Sequence, residues 1–142
     1  MADIVRDVMT PGVVSVRPDA SLVEAAQLMR AQDIGGVLVA AGGTVLGVLT
    51  DRDITLRAVA DGIDPLTVSA QAVCTPHPVA ISPDDSVHAA AALMREYAVR
   101  RLPVIEDGRP VGMLSLGDLA VALDPASTLA RISGMAPDSW PG

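Results

Sequence analysis

Two short runs hold the residue types most able to do chemistry. Thr50-Asp51-Arg52-Asp53 follows the apolar run Gly47-Val48-Leu49, and Ser115-Leu116-Gly117-Asp118 follows Gly112-Met113-Leu114. In each, a hydroxyl residue precedes an aspartate by three positions where a strand pattern gives way to a helix pattern. A single instance reads first as a capping box, which satisfies free backbone N–H groups and needs no ligand. The same physics suits a ligand. A helix N-terminus with free N–H groups attracts anions such as phosphate. A hydroxyl can donate to a phosphate oxygen. An ionised aspartate only accepts, so it can receive both hydrogens of a ribose diol. Arg52 could pair with phosphate.

These runs belong to a larger repetition. Val8–Ala58 aligns with Val73–Leu123 at a constant offset of 65 residues without a gap. Thr10-Pro11 falls on Thr75-Pro76, Pro18-Asp19 on Pro83-Asp84, and Leu28-Met29-Arg30 on Leu93-Met94-Arg95. Gly47 and Asp53 fall on Gly112 and Asp118. Two copies are too few for a solenoid. They suit two units that cover each other's apolar faces with pseudo-twofold symmetry.

Each copy reads as strand, helix, strand, strand, helix. Val13–Val16 is a short strand pattern. Ser21 then caps a helix, with Glu24 completing a capping box. Leu22, Ala25, Ala26 and Met29 form one apolar stripe. Val37–Ala40 and Val45–Leu49 make a hairpin about Gly42-Gly43, and a second helix runs from Thr50 to about Ala60. The second copy predicts strand Val79–Ile81 and a helix Ser86–Tyr97 with the stripe Val87, Ala90, Ala91 and Met94. Strands Leu102–Ile105 and Val111–Leu114 follow, then a helix Leu116–Leu123. Between the copies, Asp61–Pro65 is a polar linker, and Leu66–Val73 reads as a short helix. The expected organisation is a first repeat over 4–65, a second over 66–124 and a tail over 125–142. Thr128–Ile132 reads as one or two helical turns, and Ala136–Gly142 as a loose end.

Composition narrows the function. Half the residues are hydrophobic, almost all aliphatic, with no Phe, one Tyr and one Trp. That leaves no stacking platform for single-stranded nucleic acid, and a net charge of −7 lacks the basic face a nucleic acid requires. All ten basic residues are Arg. Schiff-base and P-loop lysines are therefore absent, while planar recognition of phosphate by Arg remains open. The chain opens without an apolar leader pattern, and Ile34–Thr50 fits two strands better than a membrane span. With a single cysteine, Cys74, no internal disulfide can form, in keeping with a cytoplasmic location. Cys74, His77 and His88 are too few for a structural zinc site, which needs four ligands, so no metal is expected. Nothing marks a catalytic triad.

Spacing and order across both copies resemble a stand-alone tandem CBS-domain protein, a Bateman module. The resemblance rests on Val8-Met9-Thr10-Pro11, on Gly47 through Ile54, and on Val99-Arg100-Arg101-Leu102-Pro103-Val104, and it covers about Ile4–Asp124. The short length and the Thr50–Ile54 segment are also similar to the actinobacterial hypoxic-response type. The resemblance implies an α/β fold of two β-α-β-β-α repeats packed through their sheets, paired with a second chain into a homodimer. It implies a cleft in each repeat for an adenosine compound: AMP, ADP, ATP, NAD or S-adenosylmethionine. Carried onto this chain, Asp53 and Asp118 would hold ribose, and Thr50 and Ser115 would contact ribose or phosphate. Thr10, Val14, Ile34, Gly36 and Val37 would line the first site, which also holds Arg52. Thr75, Val79, Val99, Arg101 and Leu102 would line the second.

The two sites differ. Gly117 stands where the first copy has Arg52, and Arg100-Arg101 stand where it has Gly35-Gly36. These differences favour the first site. The expected function is a non-enzymatic cytoplasmic sensor that binds an adenosyl ligand and acts on a partner protein in trans, with no nucleic-acid or membrane partner. The alternative is an interaction or stress-response protein whose CBS folds dimerise without a ligand.

Overall fold

The computed structural model describes residues 4–133, so the end expected to be loose, Ala136–Gly142, lies outside the described residues. The chain runs α1 (Val5–Val8), β1 (Thr10–Pro11), β2 (Ser15–Val16), α2 (Leu22–Gln32), β3 (Gly36–Ala41), β4 (Thr44–Thr50) and α3 (Asp51–Ile54). It continues through α4 (Ala70–Val73), β5 (Thr75–Pro76), α5 (Val87–Tyr97), β6 (Arg101–Glu106), β7 (Arg109–Ser115), α6 (Leu116–Leu123) and α7 (Thr128–Ser133).

The long helices start where a serine can cap them. Ser21 Oγ accepts from Glu24 N–H at 3.1 Å, and Ser86 Oγ accepts from Ala89 N–H at 3.0 Å. The expected box at Ser21 is half made, since the Glu24 side chain does not return the bond. Both helices end in a left-handed residue, Asp33 and Ala98. Leu22, Ala25 and Met29 are buried on α2, and Val87, Ala90 and Met94 on α5. Ala26, expected in the first stripe, is exposed, and half-buried Leu28 packs on the core instead.

The hairpins β3–β4 and β6–β7 are antiparallel. Side chains alternate across a strand. On β3, Val37 and Val39 enter the first core, while buried Leu38 points to the opposite face. On β6, Leu102 and Val104 enter the second core, and buried Pro103 takes the opposite face. The two sheets meet along β4 and β7. The strand patterns at Val13–Val16 and Val79–Ile81 are paired only at Ser15–Val16 and at Ile81. The helix expected over Thr50–Ala60 changes character after Ile54. Thr55–Val59 form a π turn, with Ala60 N–H reaching Thr55 O at 2.9 Å. The helix expected over Leu66–Val73 begins at Ala70.

The repeats exchange their leading segments. β1 joins the second sheet, in the order β1-β7-β6, and β5 joins the first, in the order β2-β3-β4-β5. Val5 N–H donates to Asp85 O and Arg6 N–H to Pro83 O, each at 2.9 Å. Their partners at the 65-residue offset do the same: Ala70 N–H to Ala20 O at 2.7 Å and Gln71 N–H to Pro18 O at 3.1 Å. Val5 is fully buried in the second core, and Ala70, Val73 and Cys74 are buried in the first. Each core is thus closed by the other repeat's lead-in.

Candidate functional site

Thr50 ends β4 and caps α3, and Ser115 ends β7 and caps α6. Both capping boxes are complete. Thr50 Oγ1 accepts from Asp53 N–H at 3.1 Å, and Asp53 Oδ2 accepts from Thr50 N–H at 2.9 Å. The second box has the same form, with Asp118 N–H to Ser115 Oγ at 3.0 Å and Ser115 N–H to Asp118 Oδ2 at 2.9 Å. The structural role of these motifs is therefore real. It does not exhaust them, because a carboxylate has about four acceptor positions and the cap uses one. Asp118 Oδ1 has no partner among the described residues. Asp53 Oδ1 lies 3.8 Å from Arg57 Nη2, while Arg57 Nη1 donates to Val73 O at 3.0 Å. Ala122 stands where a second Arg57 would be. The Asp53 side chain is 13% exposed.

Each Asp faces a cleft of about 240 Å³, and the grouping of residues is crossed. Ser115 and Asp118 share their cleft with Thr10, Val14, Ile34 and Gly36. Thr50 and Asp53 share theirs with Thr75, Val79 and Val99. The wall expected for the first site thus stands opposite the second Asp, and the reverse. The cause is the exchange of lead-ins, because Thr10 sits beside Met113 in β1–β7 and Thr75 beside Val48 in β4–β5.

Three further expectations are corrected. Val37 and Leu102 are fully buried core residues, and the cleft-facing positions are Leu38 and Arg101, one residue away on each strand. Arg52 lines neither cleft. It lies on the outer surface with Asp51, Thr55 and Leu56, so the argument that favoured the first site loses its cation. Arg101 lines both clefts.

Other lining residues were not anticipated. Pro11, Gly12, Gly112 and Met113 belong to the Asp118 cleft, and Val48, His77, Pro78 and Tyr97 to the Asp53 cleft. The offset of 65 pairs His77 with Gly12, and both have positive φ, 50° and 90°. A histidine held in a left-handed conformation at a cleft wall is the kind of local cost found at binding sites. Tyr97, 53% exposed, gives this cleft an aromatic side chain in a sequence with a single Tyr and no Phe.

The repeated glycines of the motif mark where the exchanged strands cross. A Cβ on Gly47 would lie 2.6 Å from Cys74 Sγ and 2.7 Å from Thr75 O. On Gly112 it would lie 2.7 Å from Thr10 O and 2.8 Å from Met9 Sδ. Cys74 is consequently a packed core residue, and burial, then the Asp53 charge, push its thiol pKa up. Among the described residues no three His, Cys, Asp or Glu side chains gather as metal ligands, and no helix is long and apolar enough to cross a membrane.

A CBS-domain family model matches residues 5–59 and again 70–125. The CBS domain-containing protein YhcV of Bacillus subtilis is 40% identical over 117 residues, 82% of this chain and 83% of the relative. Hypoxic response protein 1 of Mycobacterium tuberculosis is 37% identical over 116 residues, 81% of each chain. Among solved structures, Hypoxic Response Protein I with two coordinated zinc ions superposes with a TM-score of 0.76 at 36% identity, over 84% of this chain and 98% of that one. The CBS domain pair of protein MJ0100, solved with 5-methylthioadenosine and S-adenosyl-L-methionine, has a TM-score of 0.79 at 21% identity over 89% of this chain and all of that one. That likeness is one of fold. With two family matches laid over two cores that share their strands, this chain belongs to the CBS-domain family as a tandem CBS pair.

Proposed function

We propose that this protein is a non-enzymatic regulatory module that binds an adenosyl compound in the crossed clefts and alters its action on a partner protein in trans. One observation carries the reading. Each cleft sets an aspartate that keeps acceptor capacity, at a helix N-terminus, against an apolar wall from the other repeat. The carboxylate suits a ribose diol, the wall suits a base, and about 240 Å³ suits a nucleoside more than a dinucleotide. The MJ0100 pair, of the same fold, was solved with two adenosyl compounds, which supports that ligand class. Between the clefts, the Asp118 cleft ranks first, because Arg57 already engages Asp53 Oδ1.

A homodimer in the cytoplasm is part of the same reading. Leu56 and Val59 beside α3, and Leu116 and Val121 on α6, are 41–63% exposed, apolar side chains that a second copy could cover. They also favour the alternative, a dimer that interacts with partners without any ligand.

Thermal unfolding with millimolar AMP, ADP, ATP, NAD or S-adenosylmethionine separates the two. A ligand at one hundred times its Kd adds about 2.7 kcal/mol, a rise of several degrees for a chain of this length. Asp118→Ala should remove most of that shift and Asp53→Ala less. Absence of any shift with all five compounds would leave the ligand-free alternative standing.

A further inference from the structure

The two clefts are served by one cation. Arg101 is the only arginine that lines either cleft among the described residues, and it lines both. Its position is explained by the pseudo-symmetry. Gly36 and Arg101 are equivalent, the first residues of β3 and β6. The two strand starts are held alike, with Asp51 N–H donating to Gly35 O at 3.0 Å and Leu116 N–H to Arg100 O at 2.8 Å. The Arg101 side chain then lies across the glycines of the other copy. A Cβ on Gly36 would lie 3.3 Å from Arg101 Cδ, and one on Gly35 would lie 2.6 Å from Arg101 Nη2. Two arginines there would compete for the same space, and two glycines would leave the clefts without a guanidinium. Arg101 is half-buried and makes no ion pair among the described residues. The Asp51 carboxylate lies nearby, 3.1 Å from the same Gly35 Cβ position, but not within ion-pair distance, so the guanidinium keeps its donors for a phosphate.

We infer that Arg101 is a shared specificity residue, which selects phosphorylated adenosyl ligands over neutral or sulfonium ones and allows the clefts one strongly held anion at a time. This rests on the adenosyl reading above. One guanidinium cannot make bidentate contact with two phosphates in separate clefts. The first anionic ligand therefore takes it, and the second binds without it. A neutral ligand does not draw on Arg101 and meets two independent clefts. A cationic sulfonium is opposed by it.

Titration calorimetry of the full chain with adenosine, AMP and S-adenosylmethionine tests this. Adenosine should bind with two equivalents and serves as the baseline. The first equivalent of AMP should bind at least tenfold tighter than adenosine, with the second at least tenfold weaker than the first, and S-adenosylmethionine should bind more weakly than adenosine. In Arg101→Ala the AMP advantage over adenosine, taken as the ratio of the two affinities in the same variant, should vanish. Gly35→Ala retains the arginine but displaces its tip, and should also erode the AMP advantage. If adenosine binds but AMP binds no tighter, or if Arg101→Ala leaves the AMP advantage intact, the shared role of Arg101 is overturned and the adenosyl clefts stand. If none of the three compounds binds, the adenosyl reading itself is overturned, and this inference with it.

Discussion

Gly47→Ala, Gly112→Ala and Gly35→Ala introduce the same methyl group with nearly the same nominal overlap, and the fold requires them to behave differently. At Gly112 the new Cβ meets a backbone oxygen, Thr10 O, at 2.7 Å, and at Gly47 it meets Thr75 O at 2.7 Å. Both distances fall short of a comfortable contact of about 3.5 Å by roughly 0.8 Å. The obstructing oxygens belong to β1 and β5, which are tied to β7 and β4 and preceded by residues packed on the cores, half-buried Met9 and buried Cys74. Relief therefore means moving an exchanged strand. Overpacking costs about 1–3 kcal/mol, and more when backbone must shift. Neither glycine has a positive φ, so alanine recovers about 0.4–1 kcal/mol by restricting the unfolded chain. With the cost in the upper half of that range, the net expectation is a loss of about 1–2.5 kcal/mol, or roughly 3–12 °C in Tm for a chain between the two size classes of the usual scaling. Gly47→Ala should cost more, because its second obstacle is the short, fixed Cys74 Sγ at 2.6 Å, whereas Met9 is flexible. Cys74→Ala in the same chain should recover part of the loss, since the two sites touch. At Gly35 the 2.6 Å neighbour is the tip of Arg101, which can swing aside, so the expected change is within about 0.5 kcal/mol of zero. Urea and thermal unfolding followed by circular dichroism give these values. A Gly112→Ala protein within about 0.5 kcal/mol of the parent, or a Gly35→Ala protein as damaged as the other two, would show that the exchanged strands do not cross where the geometry has them.

Two further outcomes follow from the same packing. A fragment of residues 12–78 contains every strand of the first sheet together with the lead-in that closes its core, so it should unfold more cooperatively than a fragment of residues 1–65, which lacks Ala70, Val73 and Cys74; the reverse order by circular dichroism would contradict the exchange. The second concerns Cys74, whose thiol pKa is raised by burial and the Asp53 carboxylate. Above the unfolded thiol value of about 8.5 the unfolded chain has lost that proton while the native chain still holds it, so stability falls as pH rises. Urea unfolding at pH 7 and pH 9.5 should show that fall, reduced in Cys74→Ala; an equal fall in both would assign it to other groups.

The sequence made the elements legible and left their exchange hidden, for a definite reason. Serine caps at 21 and 86, the stripes ending in Met29 and Met94, and the hairpins are local properties, fixed by residues within a few positions of each other. Strand phase is a finer matter. Val37-Leu38 and Leu102-Pro103 are continuous apolar runs buried on both faces, and such runs carry no alternation to say which member faces the helices. The pattern around Arg52 failed for a related reason. The phase of a helix start is not set by the strand before it, and only the packed helix shows that Arg52 points outward with Asp51 while Arg57, a turn after Asp53, turns toward that carboxylate. The second copy carries Leu116 and Gly117 at the positions of Asp51 and Arg52, so comparing copies gave the lost cation more weight than the geometry does.

The crossing itself is invisible to a repeat at constant offset. A chain in which Thr10 faces Asp53 and Thr75 faces Asp118 has the same internal alignment as one in which Thr10 faces Asp118 and Thr75 faces Asp53. Exchanging every residue with its partner 65 positions away returns the same arrangement in either case. Only features that depend on which repeat lies opposite can break the tie, and two do. Gly47 and Gly112 must be bare because a strand from the other repeat passes within 2.7 Å of where a Cβ would be, a demand that no contact within a single copy explains. Arg101 fits only because its pseudo-equivalent, Gly36, is bare as well. Identity at the first pair and difference at the second therefore have one cause, the close approach of two copies about a shared axis. Where backbone approaches, both copies must keep glycine. Where side chains meet at the axis, there is room for one large residue, and the repeat must become unequal there.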